Sequence, residues 1–187
     1  MPTLYFDLGS PYAYLAFTRA PAVFGQMPEL APILLGVIFE RRGSGSWSQT
    51  DAREQRIAEL HQRVRRYGIE PLKLPPGWPQ NGLQAMRAAT WALHEGAGEA
   101  FTRAAFQRSF AAGEDITSLP ALASIAEQIG LRGERLETAI ASAPVKAALR
   151  AVTEAAWDAG VRGVPSVCVD AEVFYGDDQL ERAAAAR

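Results

Sequence analysis

Strand-forming character occurs only at the two ends of this chain, and that distribution limits the fold more than any other feature. Thr3-Leu-Tyr-Phe6 reads as a short strand running into a turn at Asp7-Leu-Gly9. Ser10 is a favoured N-cap, and Pro11 suits the first helical position, where its missing N–H costs nothing. Tyr14, Phe17 and Ala20-Pro21 continue a helix that ends by Phe24-Gly25. The apolar run Ile33-Leu-Leu-Gly-Val-Ile-Phe39 then has the length and β-branching of a buried strand. At the far end, Ser166-Val-Cys-Val169 and Val173-Phe174-Tyr175 form a hairpin across Asp170-Ala171-Glu172. Asp177 or Asp178 would cap a last helix.

Between these ends the periodicity is helical. A Gly/Ser-rich loop from Arg41 to Ser48 gives way at Thr50 to Ile57, Leu60, Val64 and Tyr67 at helical spacing. Pro71 and Pro75-Pro76-Gly77-Trp78-Pro79 break the chain. Helices follow at Leu83–Leu93, Phe101–Phe110, Leu119–Ile129, Glu134–Ile140 and Val145–Trp157. Residues 41–160 are therefore expected to be an inserted helical domain, and residues 1–40 with 161–187 the domain it interrupts. Without the insertion, βαβ followed by ββα is the thioredoxin topology. The expected fold class is α/β, a thioredoxin fold with a large all-helical insertion.

Composition removes several function classes. A formal charge of −2, with arginines scattered along helices, gives no field for nucleic acid or a membrane. The N-terminus lacks a basic and an apolar signal region, so a cytoplasmic location is expected. The one cysteine, Cys168, rules out an internal disulfide and a CxxC pair. It also rules out a multi-thiolate zinc site, and with only two histidines no metal is expected.

Three segments carry candidate chemistry. Ser10-Pro11-Tyr12-Ala13 opens the first helix, where unpaired N–H groups and the helix dipole favour an anion. The Ser10 hydroxyl can donate to a thiolate brought by another molecule, or can be an ordinary N-cap. Gly163-Val164-Pro165 precedes a strand; a cis proline would leave the Val164 backbone groups free to pair with a peptide-like ligand. A proline that simply opens a strand is the plainer alternative. Tyr175-Gly-Asp-Asp178 is a capping signal, or a carboxylate pair able to hold an ammonium group. Trp47 and Trp78 lie in loops flanking this region and can face an aromatic ligand, whereas Cys168 reads as a core thiol.

Taken together these segments resemble the 2-hydroxychromene-2-carboxylate isomerase family, kin of kappa-class glutathione transferases and DsbA-like proteins. The resemblance rests on Tyr5-Phe-Asp-Leu-Gly-Ser-Pro-Tyr-Ala-Tyr-Leu-Ala16, Pro32-Ile-Leu-Leu-Gly-Val-Ile-Phe39 and Arg66-Tyr-Gly-Ile-Glu-Pro71. Gly160-Val-Arg-Gly-Val-Pro165 and Phe174-Tyr-Gly-Asp-Asp-Gln-Leu180 continue it in order along nearly the whole chain. It implies a DsbA/kappa-like fold and glutathione as cofactor. By resemblance Ser10 activates the glutathione thiol, Val164 beside Pro165 pairs with its cysteinyl backbone, and Asp177 and Asp178 hold its γ-glutamyl end. Asn81 matches a family asparagine near the substrate pocket, and is equally an N-cap for the Leu83 helix.

Departures from the family fall on the substrate side. Where relatives carry Phe-Lys and later Gly-Asn, this chain has Phe39-Glu40-Arg41-Arg42-Gly43-Ser44. Ser44 then stands for the asparagine, and Arg41 or Arg42 is left to supply the missing positive charge, with a different geometry. The implied reaction is cis–trans isomerisation of an aromatic α-keto acid or its cyclic hemiketal. A kappa-like transferase releasing a glutathione conjugate, and a non-catalytic binding module, remain as alternatives. The implied partners are a small aromatic substrate and a second copy in a homodimer, with no nucleic acid and no membrane.

Overall fold

The structure, a computed structural model, describes residues 1–69 and 71–187; Glu70, within the Arg66–Pro71 segment, lies outside them. One sheet collects the strands from both ends of the chain in the order β2-β1-β3-β4. β1 (Thr3–Phe6) runs parallel to β2 (Glu29–Pro32), with Thr3 opposite Glu29 and Phe6 opposite Pro32. β3 (Ser166–Val169) lies antiparallel on the other side of β1, with Tyr5 opposite Ser166. β4 (Glu172–Tyr175) completes the sheet as the hairpin partner of β3. The period-2 alternation of β1 sends Leu4 and Phe6 into the core.

Helix α1 (Pro11–Phe24) joins β1 to β2. Its start is as read: Ser10 has extended backbone angles, its side chain accepts from Ala13 N–H at 3.2 Å, and Pro11 follows. Gly25, at φ 77°, ends it in the left-handed conformation.

The second strand is not where the apolar run placed it. The strand is the four residues before that run, and Ile33 adds one further bond from its N–H to the Phe6 carbonyl. Leu34 then turns the chain into helix α2 (Leu35–Arg42), so most of Ile33–Phe39 is helical. Only Ile33 and Ile38 of that run are fully buried. Leu34, Leu35, Val37 and Phe39 are apolar because they face a cleft. A run of this length cannot be assigned to strand or helix by periodicity alone.

The intervening helices are α3 (Arg53–Tyr67), α4 (Leu83–His94), α5 (Gly98–Phe106), α6 (Leu119–Gln128), α7 (Leu136–Ala141) and α8 (Ala143–Asp158). A π-helical turn, Gln107–Ala112, extends α5 to Gly113. The predicted helices are thus present, with ends shifted by a few residues. Phe106 ties the helical segment to the sheet, its ring 6.1 Å from Phe6, 5.9 Å from Tyr14 and 5.4 Å from Phe17. One hydrophobic core therefore runs from β1 through α1 into α4 and α5. The chain closes with α9 (Leu180–Ala185), reached through a 3-10 turn, Asp177–Gln179. Neither Asp177 nor Asp178 caps this end by a side-chain hydrogen bond, which removes the capping reading of that pair. Cys168 is only partly buried in β3. Among the described residues no helix is long and apolar enough to cross a membrane.

Candidate active site

A cleft of about 1220 Å³ opens where the C-terminal end of β1, the N-terminus of α1 and the loop before β3 meet. Ser10, Val164, Pro165, Asp177, Asp178, Asn81 and Ser44 all line it. The structure thus brings these seven residues together, and Arg42, Trp47 and Trp78 with them. Arg41 is the exception, and it is a correction. Arg41 belongs to α2, not to the loop expected to begin there, and projects toward α8, where it donates to both carboxylate oxygens of Glu154. Its guanidinium also lies 5.6 Å from the Trp157 ring centroid, so it does not reach the cleft. Arg42 and Glu40 do.

Ser10 sits in the cleft wall with 6% of its surface exposed. Its oxygen accepts the Ala13 N–H, so the N-cap reading holds, and that bond leaves the hydroxyl hydrogen unused. The N–H of Tyr12 likewise has no hydrogen-bond partner among the described residues. The site therefore offers two adjacent donors at a helix N-terminus. Asp7 fixes the turn beneath them: Oδ1 accepts Gly9 N–H at 2.8 Å and Oδ2 accepts Leu35 N–H at 3.0 Å. Burial raises the Asp7 carboxyl above its ordinary value, and those two backbone N–H groups oppose the shift. Trp78 closes the other flank by donating its indole N–H to the Gly9 carbonyl at 2.9 Å.

Across the cleft the Val164-Pro165 bond is cis, as a ligand-facing proline suggested. The Val164 N–H and C=O have no hydrogen-bond partner among the described residues. Beside this edge, Asp177 is 1% exposed and pairs through Oδ1 with Arg63 of α3 at 2.6 Å. Its Oδ2 is buried with no hydrogen-bond partner among the described residues, and the Tyr67 hydroxyl also bears on this carboxyl. Burial raises the Asp177 carboxyl, while the Arg63 charge pulls the other way. Asp178 is half exposed and 3.5 Å from the same guanidinium. Asn81 accepts Leu83 N–H at 3.1 Å through its side-chain oxygen, supporting the start of α4 while its amide nitrogen stays available.

The remaining wall is aromatic. The Trp47 and Trp78 ring centroids lie 5.3 Å apart, and Tyr12 meets Trp47 edge-on at 5.8 Å. Arg56 and Arg63 are cleft residues that the sequence reading passed over, and Tyr12 enters it only as part of the helix start. Arg56 and Arg63 are seven positions apart on one helix, and that spacing places both on one face. This signal was present among the scattered arginines.

A DSBA-like thioredoxin domain matches residues 3–186 of the chain. The chain belongs to that family. Its fold is the DsbA-like thioredoxin fold with a helical insertion. The 2-hydroxychromene-2-carboxylate isomerase of Sphingobium xenophagum is 27% identical over 185 residues, 95% of this chain and 92% of that protein. A solved 2-hydroxychromene-2-carboxylate isomerase superposes with a TM-score of 0.87 at 22% identity, covering 99% of this chain and 93% of the other. A Streptomyces coelicolor protein described as a probable DsbA oxidoreductase gives 0.73 at 19% identity, over 99% and 87%. The oxidoreductases of this DsbA-like family share the fold, but dithiol chemistry cannot carry over. The chain has one cysteine, Cys168 in β3, and therefore no CxxC pair.

Proposed function

We propose that this DsbA-like protein is a glutathione-dependent isomerase of an aromatic α-keto acid or its cyclic hemiketal. The carrying observation is Ser10. Its hydroxyl hydrogen is unused at the N-terminus of α1, and it faces the cleft. The similarity to a 2-hydroxychromene-2-carboxylate isomerase over 95% of the chain supports the same reading.

The cleft residues fit a tripeptide thiol. Val164 offers one free N–H and one free C=O, the pattern needed to pair with an extended backbone. The unpartnered Asp177 Oδ2, with Asp178 beside it, suits an ammonium group, whose charge would offset the burial of that carboxylate. Bound glutathione supplies a thiolate whose reversible addition makes a conjugated double bond free to rotate, and it is returned unchanged. The Ser10 hydroxyl and the Tyr12 N–H stabilise the ionised sulfur, which matters because a free thiol titrates at about 8.5. Trp47, Trp78 and Phe39 exclude water and hold an aromatic ring against the sulfur.

Product analysis tests this reading. With the purified protein and an o-hydroxybenzylidenepyruvate, the geometric isomer should accumulate only with glutathione present, and the glutathione should be recovered in full. Stoichiometric consumption of glutathione into a conjugate would instead make the protein a kappa-like transferase.

A further inference from the structure

Three arginines line the cleft, Arg42, Arg56 and Arg63, and they are engaged to different degrees. Arg63 is held by Asp177 at 2.6 Å and Asp178 at 3.5 Å. Arg42 turns to the Arg162 carbonyl, to which it donates at 2.7 Å, beside the Gly163–Pro165 edge. Among the described residues Arg56, on the first turn of α3, makes one ion pair, to Glu59 at 3.4 Å and half exposed, a contact worth little in water. Its remaining donors are free to take a carboxylate in the bidentate geometry that a lysine cannot provide.

The Tyr12 hydroxyl favours an anion at Arg56. The Tyr12 hydroxyl is buried without a hydrogen-bond partner among the described residues. Burial raises its pKa, and the charges of Arg63 and Arg56, both close by, oppose that shift. The α2 side is the less hospitable one. Glu40 lines the cleft there and makes no ion pair among the described residues, so a carboxylate approaching α2 meets a like charge. Trp47 links the two sides, packing on Tyr12 and on Trp78.

From this placement we infer that Arg56 is the carboxylate anchor of the cleft, selecting aromatic carboxylates whose ring lies on Trp47 and Trp78 and whose acid end points to α3. The inference rests on the preceding reading of the cleft as a site for an aromatic α-keto acid.

Titration calorimetry on the full chain tests it without relying on turnover. The probes are benzylidenepyruvate and benzylideneacetone, which share the ring and the conjugated ketone and differ in the carboxylate. The wild type should bind the carboxylate about 10- to 100-fold more tightly than the ketone, as expected for a hydrogen-bonded charged pair. Arg56→Ala should abolish that difference while leaving ketone binding within about 3-fold, and Arg56→Lys should restore only part of it. Equal carboxylate affinity in wild type and Arg56→Ala overturns the inference, as does a carboxylate-selective loss in Arg42→Ala in place of Arg56→Ala. Carboxylate binding that depends on Arg56, with no glutathione-dependent isomerisation, leaves the anchor standing and removes the isomerase reading.

Discussion

The Asp7 carboxylate accepts the Leu35 N–H at 3.0 Å, so the turn that presents Ser10 is tied to the first turn of α2. The other oxygen of the same carboxylate accepts Gly9 N–H at 2.8 Å. One side chain thus sets the spacing between the two walls of the cleft. Asp7→Ala leaves two N–H groups without their acceptor, and a loss of about 1–3 kcal/mol in unfolding free energy is expected. Urea denaturation measures it. Asp7→Asn should recover only part, because an amide presents one acceptor where the carboxylate presents two. A midpoint unchanged in Asp7→Ala would show that the bridge contributes nothing.

Asp177 and Asp178 should matter to glutathione more than to the fold. Asp177→Asn with Asp178→Asn removes both charges at nearly constant shape. Glutathione affinity should fall roughly 10- to 100-fold through loss of charge-assisted contacts. Equilibrium dialysis with labelled glutathione reads this directly. Unchanged affinity would make the pair structural, engaged only with Arg63.

Burial also gives Asp177 a pH signature. Its carboxyl is raised above the ordinary 3.8, so the folded protein holds that proton more tightly than the unfolded chain. The stabilisation from this proton is complete below about 3.8 and is lost as pH rises through the folded-state value. Thermal midpoints measured from acid toward neutrality should therefore fall for wild type relative to Asp177→Asn. A constant difference across that range would contradict the raised value.

Arg41 supplies a contrast. Its guanidinium is engaged by Glu154 on the outer side of α2, away from the cleft. Arg41→Ala should leave substrate KM unchanged and cost less than about 1 kcal/mol, as partly exposed ion pairs do. A large rise in KM would return Arg41 to the site.

Local chemistry made the ends of this fold legible, and ambiguity hid the middle of the site. Ser10-Pro11 announced the start of α1 because a cap and an N1 proline each satisfy a definite backbone need. The four residues of β3 stand where the valines placed them. Ile33–Phe39 misled because a cleft wall needs the same apolar residues as a buried strand, and seven residues are too few for periodicity to decide. Resemblance alone places Arg41 in the pocket, and the helix that replaces the expected loop start turns it outward onto Glu154. Arg56, Arg63 and Tyr12 escaped for another reason. Their importance lies in what they lack or share across α1, α3 and the 3-10 turn, and no linear spacing records a contact between Arg63 and Asp177.

If the Ser10 hydroxyl holds a bound thiol ionised, the pKa of that thiol reports it most directly. Ultraviolet thiolate absorbance of protein-bound glutathione, titrated against pH in wild type and Ser10→Ala, gives the value directly. In wild type it should lie below the free thiol's value of about 8.5. In Ser10→Ala glutathione should still bind through Val164 and the acidic pair, with the thiol pKa higher by about one unit for each 1.4 kcal/mol lost. Turnover should fall at neutral pH and partly recover at higher pH. Loss of the cap alone predicts a stability change of about 0.5–2 kcal/mol and no change in the bound thiol. A bound-thiol pKa and turnover identical to wild type in Ser10→Ala would reduce Ser10 to a helix cap and contradict the account.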